Sequence, residues 1–288
     1  MTHSSRILVV GATGYLGLHM VRQLQTHNLS FKAIARNKKK LVEMGVSSDQ
    51  IIEAQVTDPK SLLGELNEID VVISCLGITR QKDGLKYMDV DYQANLNVLI
   101  EAERSGVSRF IYISAFNAQK YRNIRLLQAK EQFAQRLLNS KILAPCVIRP
   151  NGFFSDLEEI YHMAASGRVY LFGSRTIRLN PIHGSDLATF CIDAVRSTDR
   201  ELEVGGPETL TTVDIAQQAF KAQNKEANIV LIPDTIRRIA LWLMKKLPEK
   251  WGGSGEFFLT ALGGDAIAPQ YGTHKLSNHY VQMFTNKD

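Results

Sequence analysis

Residues 9–19 of the chain read VVGATGYLGLH, in which three glycines are spaced three apart between an apolar run and a helical pattern. In a strand–loop–helix unit, the first glycine permits a tight turn and the second lets backbone N–H groups approach a pyrophosphate. The third lets the helix pack closely on the strand. Because the pattern follows a predicted strand and opens a helix, it predicts a dinucleotide cradle. The residues expected to contact the dinucleotide here are Gly11, Thr13, Gly14, Tyr15, Leu16 and Gly17.

Short apolar runs alternate with longer periodic ones up to about residue 150. The short runs are RILVV (Arg6 to Val10), FKAIA (Phe31 to Ala35), IIEAQV (from Ile51), DVVISCLG (from Asp70), RFIYIS (to Ser114) and APCVIRP (Ala144 to Pro150). Strands buried on both faces and alternating with helices indicate a parallel sheet covered on both sides. The pattern predicts an α/β fold, with a Rossmann-type doubly wound sheet over residues 1–150.

A looser pattern follows Pro150, and we expect residues 151–288 to form a small α+β lobe interleaved with the sheet. Strands are predicted over 167–173 and 176–183, and helices are predicted to begin at Ser185 and at Thr211 or Thr212 as N-caps. Such a lobe is expected over the carboxyl edge of the sheet, where open α/β folds bind ligands.

The segment TIRRIALWLMKKLPEKW, residues 235–251, is both basic and apolar. One interpretation is a helix that lies on a membrane surface, with tryptophan and leucine inserted and the cations on anionic lipid. The simpler interpretation is a lid or dimer helix packed on the lobe. Proline at position 248 is expected to end this helix.

Composition excludes several classes of protein. The net charge is +5, yet the basic run RNKKK (residues 36–40) has no interleaved aromatics, which argues against nucleic-acid binding. Three widely spaced cysteines exclude a disulfide framework and a familiar zinc site, and the seven histidines show no metal-ligand spacing. The first strand begins within a few residues of Met1 and no apolar stretch reaches about 18 residues, so we expect a cytoplasmic protein without signal peptide or membrane span.

The end of the second strand selects the cofactor. NAD binders usually place an acid there for the ribose hydroxyls, whereas FKAIARNKKK offers Arg36 and Lys38 instead. A guanidinium can bond a 2′-phosphate, so the sequence predicts NADP(H); a merely solvated basic loop is the alternative. Asp58 in VTDP is placed either to meet the adenine amine or to cap the helix that starts at Pro59.

In order along the chain, five motifs resemble those of the atypical short-chain dehydrogenases/reductases: GATGYLG, VTDP, SCLG, DVDYQANLNVLIEAE and RFIYISA. RPNGFFSD (Arg149 to Asp156) and NPIHGSDLA (Asn180 to Ala188) resemble lobe segments of the NmrA-like and isoflavone-reductase-like branch. The resemblance runs from Arg6 to about Lys225. That branch includes reductases, NADP-sensing regulators, and cofactor-binding assembly factors of photosystem II and respiratory complex I.

Family members that act on carbonyls use a Tyr-x-x-x-Lys pair on a helix and a serine on the strand before it. The resemblance matches Ser114 to the serine and Lys130 to the lysine, which would bond the nicotinamide ribose. Leu126 stands where the tyrosine belongs, and Tyr121 is five residues too early. The resemblance also implies cofactor contacts from Leu76 and Gly77 in SCLG, and from Asn151 and Phe153 against the nicotinamide.

Two function classes remain open. In the first, the protein is an NADPH-dependent reductase of a small conjugated or quinone-like substrate, with Lys130 as general acid if burial lowers its pKa. In the second, it binds NADP(H) without turnover and acts on a protein partner as a redox sensor or assembly factor. Epimerase or dehydratase chemistry normally needs the missing tyrosine. His183 is either an acid or a histidine bonded to the backbone, and Phe154 beside Phe153 is either a ring cover or core.

Overall fold

The computed structural model describes residues 5–78 and 84–285. The chain forms two compact units. The first comprises Met1–Arg149 and Leu187–Leu202, and the second comprises Pro150–Asp186 and Glu203–Asp288. Each unit is therefore built from two separate stretches of the sequence.

A seven-stranded sheet runs in the order β3-β2-β1-β4-β5-β6-β9. Its strands are β1 (Ile7–Val10), β2 (Phe31–Ala35), β3 (Ile51–Glu53), β4 (Val71–Ser74), β5 (Arg109–Ile113), β6 (Ala144–Pro150) and β9 (Glu201–Val204). β1 pairs in parallel with both β2 and β4, so that Val9 lies between Ala33 and Ile73. The order reverses between β1 and β4, where doubly wound sheets bind ligands, and the predicted Rossmann-type fold is confirmed.

Helices of the first unit connect its first six strands. They are α1 (Tyr15–Thr26), α2 (Lys39–Glu43), α3 (Asn95–Arg104) and α4 (Arg125–Leu138). A π-helical segment, Met88–Ala94, runs into α3. The periodic pattern over Val90 to Ser105 predicts one helix, and the structure forms a π segment followed by an α-helix there. Since π turns inside helices often mark functional positions, this segment is a place to look for site residues.

The second unit holds two small sheets and most of the remaining helices. Antiparallel β8 (Arg178–Leu179) and β10 (Leu210–Thr211) form one sheet, and parallel β7 (Val169–Phe172) and β11 (Ile229–Ile232) form the other. The helices are α5 (Glu158–Ala165), α7 (Thr212–Lys221), α8 (Asp234–Lys246), α9 (Glu249–Ala261) and α10 (Leu276–Thr285). The core of this unit is centred on Phe154, Tyr161, Phe220 and Tyr280, all of them buried.

Three local predictions for these residues are corrected or decided. Helix α6 (Gly184–Asp193) begins one residue before Ser185, whose N–H donates to His183 Nδ1 at 3.2 Å, so the imidazole caps this helix instead of Ser185. Thr211 caps α7, since its hydroxyl accepts from the Asp214 N–H at 3.0 Å. The strand predicted over 176–183 shrinks to the two residues of β8.

The segment 235–251 is predicted as one helix ended by Pro248, and the structure corrects this prediction. α8 ends at Lys246, and Pro248 is the N-cap of a further helix, α9, which begins at Glu249. Proline suits a helix start because the first N–H groups of a helix have no intrahelical partner. Among the described residues, no helix is both long and apolar enough to cross a membrane.

The packing of α1 on the glycine turn gives a stability prediction. A Cβ on Gly17 would lie 2.2 Å from the Gly11 carbonyl oxygen, so Gly17→Ala must push α1 away from the turn. We expect a loss of about 1–3 kcal/mol in the free energy of unfolding, measured in urea by circular dichroism. Gly264→Ala is the control, since no described atom lies within 4 Å of its added Cβ. Equal stability of the two variants would contradict the packing role of Gly17.

Candidate functional site

The glycine turn brings three backbone segments together. Gly11 has φ +78°, and a Cβ on it would lie 3.0 Å from the backbone of Cys75 and Leu76, just after β4. Gly14 is the N-cap of α1, and its N–H donates to the Gly11 carbonyl at 3.1 Å. Within the described part of the chain, no side chain caps α1 and its first turn holds no acid. The positive end of α1 is thus compatible with a pyrophosphate, and these residues fit a dinucleotide.

The other predicted cradle residues differ in burial. Thr13 and Tyr15 are half-buried, and the Tyr15 ring lies edge-on to His19 with centroids 5.0 Å apart. The Leu16 side chain is buried in the core, so a contact with the dinucleotide there would come from its backbone.

Arg36 and Lys38 lie exposed at the end of β2, and their contact with a 2′-phosphate stays a prediction. They line a shallow hollow with Asn37, Lys39, Val42, Glu43 and Glu53. Lys38 Nζ is 3.3 Å from Glu53 Oε2, an acid at the end of β3 that the sequence interpretation did not consider. The hollow still has three basic side chains against two acidic ones.

Asp58 caps the short 3₁₀ helix Pro59–Leu62. Its Oδ1 accepts from the Lys60 N–H at 3.0 Å, and Pro59 is the first helical residue. The capping interpretation therefore describes the observed bond, and the contact with adenine stays a prediction.

The loop after β4 is held by Asn95, which begins α3. Ser74 Oγ donates to Asn95 Oδ1 at 2.6 Å, and Asn95 Nδ2 donates to the carbonyls of Asp91 at 3.1 Å and Leu76 at 3.4 Å. Asn95 is fully buried, so this amide fixes the path of the backbone toward Gly77.

A buried ion pair lies directly beside Gly77. Lys130 Nζ is 3.0 Å from Asp91 Oδ1, with the Asp91 side chain fully buried and that of Lys130 13% exposed. A Cβ on Gly77 would lie 2.7 Å from Asp91 Oδ1 and 2.9 Å from Lys130 Nζ. The second Asp91 oxygen accepts from the Ile78 N–H at 3.2 Å. The predicted lysine is therefore held at the same loop as the predicted cofactor residues Leu76 and Gly77.

The charge state of Lys130 corrects one prediction. Burial alone would lower its pKa, but the Asp91 carboxylate beside it outweighs burial, so its pKa lies above its usual range. The Lys130 ammonium is 5.6 Å from the Tyr112 ring centroid. The expectation that burial lowers the pKa of Lys130 is wrong, and the side chain is a permanent cation at neutral pH.

Tyr112 itself stays neutral. It is fully buried on β5, and burial raises the pKa of its phenol above the usual range. Its ring packs edge-on against Phe133 with centroids 4.7 Å apart. Tyr112 shapes the surroundings of Lys130 from the core side.

Ser114 belongs to a second buried network. Its Oγ accepts from Arg149 Nη1 at 3.3 Å, while Arg149 also donates to Glu131 Oε2 at 2.8 Å and Glu201 Oε2 at 3.0 Å. Arg149 and Glu131 are both almost fully buried. The serine hydroxyl is thus engaged in fixing β5, α4 and β6, and a catalytic role for it stays a prediction.

The position of the missing tyrosine is occupied by an apolar side chain, and a role of Tyr121 as the acid stays a prediction. Leu126 is buried one helical turn before Lys130 on α4, and Tyr121 is 39% exposed in the turn that precedes α4.

Asn151, Phe153 and Phe154 lie in the second unit. Asn151 Nδ2 donates to Asn180 Oδ1 at 2.8 Å and to the Ala266 carbonyl at 2.6 Å. Phe154 is buried in the core and meets the His183 ring with centroids 5.5 Å apart. Core packing therefore accounts for Phe154, and backbone bonding accounts for His183. The contacts of Asn151 and Phe153 with a nicotinamide stay predictions.

Sequence reasoning missed Asp91, Asn95 and Tyr112. Asp91 and Asn95 are four residues apart and share a buried helix face with Val98. Two polar residues on an otherwise apolar face were the available signal, because a buried polar group needs a partner. Among the described residues, no group of three or more metal-ligating side chains could hold a metal ion.

The sequence model of an NAD(P)H-binding family matches residues 11–198. The chain is 32% identical over 263 residues to the divinyl chlorophyllide a 8-vinyl-reductase of Cucumis sativus, covering 83% of this chain and 62% of that protein. It thus spans less than two thirds of that plant protein. It is also 25% identical to a photosystem II assembly factor of Guillardia theta, covering 79% of this chain and 73% of that one.

The fold has solved counterparts. An NADPH-dependent quinone oxidoreductase of Escherichia coli, crystallised with NADPH, superposes with a TM-score of 0.71 at 16% identity. The superposition covers 96% of this chain and 99% of that one. At this identity the likeness concerns the fold alone. The resemblance to the atypical short-chain dehydrogenases/reductases and the binding of NAD(P)H are confirmed by the family match.

The buried Arg149–Glu131 pair supplies a second stability prediction. Glu131→Gln keeps the volume but leaves the half-exposed Glu201 as the one acidic partner of the Arg149 guanidinium among the described residues. We expect the free energy of unfolding to fall by about 3 kcal/mol, because an uncompensated buried charge is costly. Glu43→Gln, which breaks an exposed pair with Lys39, should change stability by less than about 0.5 kcal/mol. Urea titrations check both, and a tolerated Glu131→Gln would contradict the structural role of the pair.

Proposed function

The chain belongs to the NAD(P)H-binding family, and from that premise we propose that it is an NADPH-dependent reductase of a conjugated carbon–carbon double bond. The observation that carries the proposal is the Lys130–Asp91 pair beside Gly77, which keeps a cation at the loop after β4 although Leu126 replaces the tyrosine. Carbonyl reduction needs a proton on oxygen, which the missing phenol would give. A carbon acceptor does not need that phenol.

The relatives support this substrate class. The cucumber protein is a vinyl-reductase, and a vinyl group is a carbon–carbon double bond. The chain spans 62% of that protein, so its own substrate is proposed only as a class: a small, planar, conjugated alkene or quinone-like compound.

The residues proposed to hold the cofactor are the turn from Gly11 to Gly17, Gly77 and Lys130. When bound, NADPH supplies a hydride to one carbon of the double bond. The Lys130 ammonium stabilises the negative charge that develops on the conjugated acceptor, since a fixed cation in a poorly solvated site is already oriented. Asp91 keeps Lys130 charged and in place, and water supplies the proton that completes the saturated product.

The preference for NADPH over NADH rests on Arg36. Its guanidinium stands at the end of β2 where an acid would repel a 2′-phosphate, in a hollow with an excess of one positive charge. Lys38 pairs with Glu53. We assign the contact with the 2′-phosphate to Arg36, because a guanidinium can donate two hydrogen bonds to one phosphate.

A second candidate is a protein that binds NADP(H) without turnover and serves as a redox sensor or assembly factor. The buried Leu126 favours it, because the family's acid is absent. The similarity to the Guillardia theta assembly factor favours it as well. The two candidates differ in one measurable property, which is turnover.

Turnover of NADPH is the direct test of the reductase. With a panel of vinyl-conjugated rings, enones and quinones, we expect at least one compound to accelerate NADPH oxidation. Lys130→Gln should lower kcat/KM about 100-fold through loss of the fixed cation. The exposed Lys141→Gln is the control and should match the parent. Tight NADPH binding without turnover of any compound would leave the non-catalytic candidate.

Cofactor choice is tested separately by titrating cofactor fluorescence. Arg36→Gln should weaken NADPH binding about tenfold or more, the effect of one charge-assisted hydrogen bond, and leave NADH binding unchanged. Lys40→Gln, in the same basic run but outside the hollow, should leave both dissociation constants unchanged. Tighter binding of NADH than NADPH by the parent protein would refute the preference.

A further inference from the structure

Helix α8 presents large apolar side chains to solvent. Ile236, Ile239, Trp242 and Leu243 are all about half exposed, and Trp251 at the start of α9 is 69% exposed. Successive members are three, three and one residues apart on α8, so they form one stripe along the helix. We call these five residues the aromatic stripe. Large apolar side chains left exposed together on one face of a helix mark an interaction site.

The stripe is not the side of α8 that packs on its neighbour. Gly255 of α9 approaches Met244, because a Cβ on Gly255 would lie 2.9 Å from Met244 Sδ. Arg237 is buried between the helices, where Nη1 donates to the Leu259 carbonyl at 2.6 Å and Nε to Asp234 Oδ1 at 2.6 Å. Arg237 and Met244 therefore form the contact between α8 and α9, and the stripe residues remain exposed to solvent.

Cations border the stripe. Residues 235–251 contain five basic side chains and one acidic one. Arg237 is used inside the hairpin, and the exposed cations are Arg238, Lys245, Lys246 and Lys250. Lys246 Nζ lies 5.8 Å from the Trp242 ring centroid, so charge and aromatic surface are adjacent. The occupant of this face must accept both apolar insertion and positive charge.

We propose that the aromatic stripe and its bordering cations dock the protein on the surface of an anionic lipid bilayer. Tryptophan rings suit the headgroup level, and each lysine or arginine near an anionic surface adds attraction. A second copy of this chain fits less well, because a symmetric contact would place the same cations opposite one another. α8 would lie in the plane of the interface, in line with its 13 residues. This proposal does not depend on the proposed reductase activity.

Co-sedimentation of the full chain with vesicles tests the docking. Vesicles of phosphatidylglycerol and phosphatidylcholine in equal parts should bind the protein, and binding should weaken with added salt. Vesicles of phosphatidylcholine alone should bind it weakly. The double variant Trp242→Ser/Trp251→Ser should bind the anionic vesicles at least about tenfold less tightly. Burial of one large apolar side chain in lipid is by itself worth about tenfold or more in affinity.

Matched controls distinguish loss of docking from loss of folding, and specific docking from non-specific binding of exposed apolar side chains. Leu63→Ser/Ile142→Ser removes two side chains that are 64% and 66% exposed in the first unit, and it should bind vesicles like the parent. Unchanged circular dichroism and NADPH binding would show that the tryptophan variant is folded. Lys245→Gln/Lys246→Gln should lose the preference for anionic vesicles.

Two results would overturn the proposal. One is equal sedimentation of the parent and the tryptophan variant with anionic vesicles. The other is absence of binding to the anionic vesicles. A dimer in sedimentation velocity that the tryptophan variant abolishes would then assign the stripe to a second copy.

Discussion

Backbone packs directly on backbone in the first unit: α1 lies against the turn that precedes it, and the turn lies against the end of β4. No side chain fits at Gly17, where a Cβ would lie 2.2 Å from the Gly11 carbonyl, or at Gly11, where a Cβ would meet Cys75 and Leu76. Because this contact lies where the strand order reverses, it aims the positive end of α1 at the ligand edge of the sheet. The rest of the site is arranged around that edge.

The loop after β4 is the next constraint, and it connects cofactor binding to charge. Gly77 lies against the Lys130–Asp91 pair, and Asn95 holds the same loop through Leu76. The neighbours of Lys130 raise its pKa, so the lysine offers positive charge and hydrogen bonds but no proton near neutral pH. A site with a fixed cation and no phenol suits a carbon acceptor better than a carbonyl.

The sheet and the glycine turn could be predicted because their signals are local: apolar runs, glycine spacing and the change of periodicity lie within about 30 residues. The charge pairs could not be, since Lys130 and Asp91, Arg149 and Glu131, and Lys38 and Glu53 come from different elements that only the fold brings together. α9 was missed because Gly252, Gly253 and Gly255 lower its helix propensity. Packing against Met244 of α8 favours a glycine at position 255. Pro248 was interpreted as an end although it caps a start.

Selection for stability alone would not be expected to produce two buried ion pairs or an exposed apolar stripe. A buried pair can often be replaced by apolar residues without loss, and exposed tryptophans favour association. Exposure distinguishes the two pairs: Arg149 and Glu131 are sealed in the core and join β6 to α4, whereas the Lys130 side chain keeps 13% of its surface beside the cofactor loop. A binding site requires a charge that is held in place and still accessible. The stripe on α8 is comparable, because its apolar side chains are exposed on an ordered helix. Departures from local rules concentrate at functional sites, so these residues are where function is to be sought in this chain.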